Sequence, residues 1–398
     1  MTKKPFEGIR VVDFTQVVSG PYATFQLAAL GAEVIKIERR EGEDLRRTNI
    51  SRKWSDLGLA PIFIALNSGK RGIALDLTKP EAVEIIRKLV AEADVVVENF
   101  RPGVMDRLGI GYRTLSEINS KIIYCAISAF GQTGPEREAA GYDGKIQALS
   151  GIMAMTGHES TGPTRAGFAV CDVISGSTAA FAIAAALRQR DQTGKGQFID
   201  VSMLEASLAF MSSQVADYTI ADHVEKLSGN YSISRKPTAN LLKAGSGSLL
   251  FAVNNEKQFR ALMTALGRPD VISDPRFSNW KTRKENEKAL VEIIEECLAT
   301  KSASDWEQLL DAAGAPCATV RRIDEILEHP QIRSREVLKT IDTPHGPLRL
   351  IATGFKLAHG DAEISSIAPG VGEHSAEVLE ELGYSASEIA ALAVSQII

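Results

Sequence analysis

IRVVDFTQVVSGPYATFQLAALGAEVIKIE, residues 9–38, reads as strand, turn, helix and strand. IRVVDF and AEVIKIE are short apolar runs, and the segment between them has helix length, with Pro21 in its first turn and Gly31 suited to its C-terminal end. A strand that returns through a helix to a second strand pairs with it in parallel, and such strands are covered by helices on both faces. The alternation continues with GIALDL (72–77), PEAVEIIRKLVAEA (80–93), DVVVENF (94–100) and KIIYCAIS (121–128). Thr78 and Glu81 have the spacing of a capping box ahead of the second helix. TGKGQFIDVSMLEASLAFM (193–211) adds a Gly-containing turn, a strand and a helix to the same α/β domain.

Beyond about residue 220 the composition becomes polar, then gives helices rich in Lys and Glu. The expected organisation is a large domain over 1–215, a smaller domain over 225–325, and a segment 326–398 that rejoins the first through a strand-rich piece and two short amphipathic helices. The length of 398 residues gives enough core to need no disulfide support, and a net charge of −5 implies no broad basic field for nucleic acid. Cys125, Cys171, Cys297 and Cys317 lack CxxC spacing, so neither a zinc site nor a disulfide frame is expected, and they suit a reducing compartment. The N-terminus lacks a signal-type apolar run and no run of about 18 uninterrupted apolar residues occurs, so the expected location is the cytoplasm, with no membrane partner. The six histidines show no metal spacing.

Asp172 is the lone carboxylate of residues 166–187 and stands where a helix rich in alanine begins. That helix is apolar on nearly every side, hence expected to be buried. Asp172 reads either as a helix N-cap or as an ionised group steadied by the helix terminus so that it can attack something. The first turn, TQVVSGP, has a single Gly20 in place of GxGxxG, which excludes a nicotinamide cofactor although Glu38 imitates the ribose-binding acid of that motif. Arg39 and Arg40 at the end of the second strand suit a phosphate, or form a solvated basic pair. In ENFRPGVMDRLG (98–109), Asn99 and Phe100 reach the carboxyl edge of the sheet, where ligands of such folds bind, and Arg101 and Arg107 follow. These residues read as ligands of an adenine and a phosphate, or as a turn residue, a core aromatic and surface charges.

Taken in order, GIRVVDFTQVVSGPYAT, LGAEVIKIERREGEDLRR, NSGKRGIALDL, VVVENFRPGVMDRLG, AGYDGKIQALSG, AVCDVISG and TGKGQFIDVSMLEA resemble the class III coenzyme A transferases of the formyl-CoA transferase and carnitine CoA-transferase type. The resemblance covers essentially the whole chain. It implies a Rossmann-like large domain, a smaller α+β domain, and a homodimer of two interlocked rings. It also implies that Asp172 is the nucleophile, and that Gln16, Val17, Arg39, Leu75, Asn99, Phe100 and Arg107 contact coenzyme A, with Tyr142 near the thioester. Coenzyme A then enters as part of the acyl-CoA substrate, with a free carboxylic acid as the second substrate and no tightly bound cofactor. The implied chemistry runs through an aspartyl anhydride and an aspartyl-CoA thioester.

Departures bear on substrate: Gln16 replaces a usual His, Val18 a Gln and Ala140 a CoA-contacting Lys, which argues against oxalate as acceptor. KAGSGSLL (243–250) is the nearest counterpart of a glycine loop that the family closes over its intermediate. Arg235 and Lys236 are candidates to pair with a second substrate carboxylate, or are surface charges. A related fold serves α-methylacyl-CoA racemases, whose AGHD supplies a His base, whereas AGYD here supplies Tyr142, a weak base with an ordinary pKa near about 10. A non-catalytic acyl-CoA binding protein is a third reading, against which the retained Asp172 argues.

Overall fold

The computed structural model describes residues 3–398. The chain divides into two compact units. The larger runs to Ile152 and adds Ala166–Val224 and Arg335–Ile398; the smaller combines Met153–Arg165 with Glu225–Ser334. The piece 153–165, a short hairpin reading as part of the large domain in sequence, thus clusters with the smaller unit.

The larger unit is built on β1 (Arg10–Asp13), α1 (Ser19–Ala29), β2 (Glu33–Glu38), β3 (Arg71–Ala74), α2 (Pro80–Ala91), β4 (Val95–Glu98), β5 (Ile123–Ser128), α3 (Asp143–Leu149), α4 (Val170–Thr193), β6 (Gln197–Ser202) and α5 (Met203–Phe210). Its six strands lie in the order β3-β2-β1-β4-β5-β6, every pair parallel. Alternate strand residues enter opposite cores. Val12, Ile35 and Val96 join Ile85, Ile86 and Leu89 of α2, while Val11, Val34 and Val97 join Leu27 of α1 and Ile183 of α4. Val378, Leu379 and Ile397, near the end of the chain, lie in the α2-side core. The strand order reverses direction between β1 and β4, and a crevice opens outside their carboxyl ends, the place where doubly wound sheets bind ligands.

The smaller unit holds an antiparallel sheet of β7 (Leu241–Lys243), β8 (Ser248–Phe251) and β9 (Cys317–Thr319), backed by helices that bury Phe259, Leu290, Ile294 and Leu310. KAGSGSLL is the β7–β8 hairpin, with the Gly245 amide donating to the carbonyls of Leu298 and Lys301.

Three local expectations are corrected. Lys79, not Thr78, precedes α2, and the Thr78 hydroxyl donates to Asp76 Oδ1 at 2.6 Å, so no capping box forms with Glu81. Asp172 is the third residue of α4, whose N-cap is Ala169. The helix α4 is only half covered: Ala179, Ile183, Ala186 and Leu187 pack on the sheet, yet Phe181 on another side is 76 % exposed. By length and composition α4 would also suit a membrane span.

Candidate active site

The turn after β1 is held by three elements. Asp13 Oδ1 accepts from the Thr15 amide and hydroxyl at 2.9 and 2.5 Å, and buried Lys36 Nζ donates to the Thr15 carbonyl at 2.8 Å. Asn99, just past β4, accepts from the Gln16 amide through Oδ1 at 2.9 Å and donates to the Gln16 carbonyl through Nδ2 at 2.7 Å. This reciprocal clamp joins the two strands of the switch point. Next to it Val17 sits at φ +66°, a conformation that costs a β-branched residue and persists only where its surroundings impose it.

Two cavities meet on this turn, sharing Gln16 and Phe100. The first, of about 290 Å³, brings Gln16, Val17, Asn99, Phe100, Tyr142 and Asp172 together, and Asp172 is the one carboxylate among its lining residues. The second, of about 450 Å³, has an apolar floor that includes Ile37, Leu75 and Leu108, and Arg39 and Arg40 on its rim. Arg107 is not brought into either: it ends the short helix Val104–Arg107, exposed. Arg39 is partly committed to its own loop, donating from Nε to the Gly42 carbonyl at 2.6 Å and pairing with Asp44. Glu38, the imitation ribose acid, is consumed by Arg46, whose buried guanidinium grips both its oxygens, Nε–Oε1 at 2.8 Å. That pairing holds Glu38 below the usual carboxylate range despite its burial.

The cap of α4 comes from a distant element. Asp143 Oδ1 accepts from the Cys171 amide at 2.8 Å, Gln147 Nε2 donates to Asp143 Oδ2 at 2.6 Å, and Gln147 Oε1 accepts from the Ala166 amide at 2.9 Å. Asp172 is left with no hydrogen bond to another described residue. Burial, reinforced by the charge of Asp143, pushes its carboxyl up to about 7. Sequence reasoning weighed Tyr142 in AGYD and overlooked Asp143 beside it. Arg137, Ser19 and Ser128 also line the Asp172 cavity unforeseen, although Ser128 closes a strand at the carboxyl edge and so carried a positional signal.

Among the described residues no cluster of His, Cys, Asp and Glu is arranged to hold a metal. Residues 6–375 match the sequence model of CoA-transferase family III. The chain belongs to CoA-transferase family III. The succinyl-CoA:glutarate CoA-transferase of Homo sapiens is 33 % identical to this transferase over 383 residues, 95 % of this chain and 86 % of that one. The succinate–glutarate CoA-transferase of Agrobacterium fabrum is 33 % identical, covering 96 % of both chains. A CAIB/BAIF family protein from Brucella suis shares the fold at a TM-score of 0.87 and 34 % identity, over 96 % of this chain and all of that one. Proteins of this family act on CoA thioesters.

The elevated Asp172 has a pH signature. A carboxylate here that acted as a nucleophile would have to be ionised, and on that reading kcat/KM for an acyl-CoA is expected to rise tenfold per pH unit below about 7 and to level above it. Stability moves the other way: a carboxyl raised from 3.8 to about 7 binds its proton more tightly when folded, so stability falls as pH climbs through that window. Asp172→Asn should therefore melt above the wild type at pH 8, with the gap closing towards pH 4. A pH-independent gap would refute the elevated value.

Proposed function

We propose that this transferase moves coenzyme A between two carboxylic acids through covalent intermediates on Asp172. The observation that carries this is a lone, elevated carboxylate in a cavity adjoining a second one with an apolar floor and an arginine rim. The nucleotide of coenzyme A would occupy the second cavity, its adenine on Leu75 and Phe100 and its phosphates towards Arg39 and Arg40. Pantetheine would pass Gln16 and Val17 and deliver the thioester to Asp172 beside Tyr142. Asn99 then serves by fixing the Gln16 peptide, and Arg107 contributes charge only from outside.

The Asp172 carboxylate attacks the thioester carbon and expels the CoA thiolate, leaving a mixed anhydride. The thiolate attacks the aspartyl carbonyl, releasing the first acid and leaving an aspartyl-CoA thioester. The acceptor carboxylate attacks that carbonyl, the thiolate leaves again, and its attack on the new acyl carbon regenerates Asp172. Each step exchanges one anion for another and needs no net proton. A racemase would need a second base opposite Asp172, and the cavity lining contains no His, Lys or second carboxylate.

The proposed acid substrates are dicarboxylates. Arg101 and Arg137 line it; Arg101 has no ion pair among the described residues, and Arg137 has only a 3.5 Å contact with its exposed neighbour Glu138. The two relatives named for succinate and glutarate point the same way. Arg235 and Lys236 are engaged within the smaller unit, with Glu225 at 2.9 Å and with the Asn254 carbonyl and the Trp280 ring respectively. Arg137→Ala is expected to raise KM for a dicarboxylate about 10–100-fold, the worth of one charge-assisted hydrogen bond, and to leave a monocarboxylate of the same length unaffected. Equal effects on both acids in a steady-state transfer assay would remove Arg137 as the reader of a second carboxylate.

A second copy of the chain is the proposed partner. Phe181, Phe210 and Ile220, on helices of the larger unit, are 76 %, 62 % and 84 % exposed, an apolar surface suited to burial in a homodimer. The four cysteines are unpaired, which supports the cytoplasm as the location.

A further inference from the structure

We propose that the first turn of α1, with the hydroxyls of Ser19 and Ser128, forms the oxyanion hole that receives the thioester carbonyl oxygen when Asp172 attacks. The proposal rests on the reading of Asp172 as nucleophile. The amides of Ser19 and Gly20 open α1 and donate to no acceptor among the described residues. Such N-terminal amides, with the helix dipole behind them, favour a negative charge. Two hydroxyls point to a ligand there independently. Ser19 is 4 % exposed and Ser128 8 % exposed, both line the Asp172 cavity, and neither hydroxyl has a protein partner. The Ser128 hydroxyl is itself a buried atom without a partner, which carries a penalty that a bound oxygen would relieve.

The placement relative to Asp172 follows from the helix crossing. The Ser19 carbonyl oxygen lies 2.4 Å from where a Cβ on Gly176 would stand, so only glycine lets α1 approach α4 here. Gly176 is one turn beyond Asp172 and on the same face. From the other side, Ala129 and Phe130, which follow Ser128, pack with Cys171 beside Asp172. The carbonyl under attack is therefore bracketed by α1 and the end of β5. As the Asp172 oxygen bonds to the carbonyl carbon, the C=O electron pair moves onto oxygen and is held by these donors. Its return breaks the C–S bond and releases the CoA thiolate.

Removing one preorganised donor from such a hole is expected to lower kcat by about 10²–10³-fold. The test compares wild type, Ser19→Ala and Ser128→Ala by steady-state kinetics, CoA-binding calorimetry and rapid-quench mass spectrometry of the adduct on the Asp172 peptide. Both variants should bind CoA as the wild type does, lose kcat with KM for acyl-CoA little changed, and form the adduct more slowly. Adduct formation at wild-type rate in both variants, or a loss confined to KM, would overturn the oxyanion hole and leave the nucleophile standing. A wild type that turns over with no adduct on Asp172 would bring down both.

Discussion

Asp172→Asn is expected to lower transfer by about 10⁴-fold or more while CoA affinity stays within a few-fold, the signature of losing a group that acts only in the chemical steps. The substitution keeps the shape of the side chain and removes its charge, and an amide cannot form the anhydride. The supporting frame does not depend on that charge, because α4 is capped by Asp143 through the Cys171 amide and latched by Gln147 to Ala166. Loss of folding is thus not the expected cause of inactivity, which a melting curve at pH 8 would verify. Transfer above about a hundredth of the wild-type rate, or a large loss of CoA binding, would place Asp172 among the binding groups instead.

The second large effect is on stability and lies beneath the same crevice. Lys70 and Asp13 are both fully buried, with Nζ–Oδ2 at 3.0 Å, and Lys70 also donates to the Thr24 hydroxyl and the Asn67 side-chain oxygen, each at 2.8 Å, and to the Pro21 carbonyl at 3.2 Å. Burial alone would raise Asp13, but the charges of Lys70 and Lys36 hold it below the usual carboxylate range. Lys70→Met strands a buried carboxylate, which costs about 3–5 kcal/mol, or roughly 5–15 °C in melting temperature for a unit of this size. Asp13→Asn with Lys70→Met should cost less than Lys70→Met alone, since the stranded charge is gone. Calorimetry at pH 7 reads this directly, and a Lys70→Met variant that melts with the wild type would show the pair to be dispensable. Because Asp13 also holds Thr15, the weakened variant should lose activity before it unfolds globally.

What the sequence revealed and concealed divides along physical lines. β1, β4 and β5 were legible because apolar, mostly β-branched runs on both faces of a parallel sheet leave no polar alternation to confuse them, and β1, α1 and β2 because they carry local punctuation, with Gly31 at φ +102° closing α1. Asp172 was legible as a lone carboxylate in an apolar segment. Its environment was not: the cap of its helix comes from Asp143, a contact that only the tertiary fold creates. The same holds for Glu38, which imitates a cofactor ligand until Arg46 is seen to consume it, and for Lys36 and Lys70, lysines that composition would place at the surface yet which are fully buried beside carboxylates. Phe181 is exposed on the single chain because the neighbouring elements cover only part of an apolar helix. Arg107 stands in a motif that suggests ligand contact, yet lies outside both cavities. Serine hydroxyls carry no periodic signal, so Ser19 and Ser128 emerge only when the cavity walls are known.

The most direct test of the central claim is intact-mass spectrometry of the protein mixed with succinyl-CoA or glutaryl-CoA and quenched within a turnover, followed by hydroxylamine trapping and peptide mapping. The account predicts an acyl or CoA adduct on the peptide containing Asp172, discharged by a free dicarboxylate and missing from Asp172→Asn. Turnover with no adduct on that peptide, or an adduct that persists in Asp172→Asn, would contradict it.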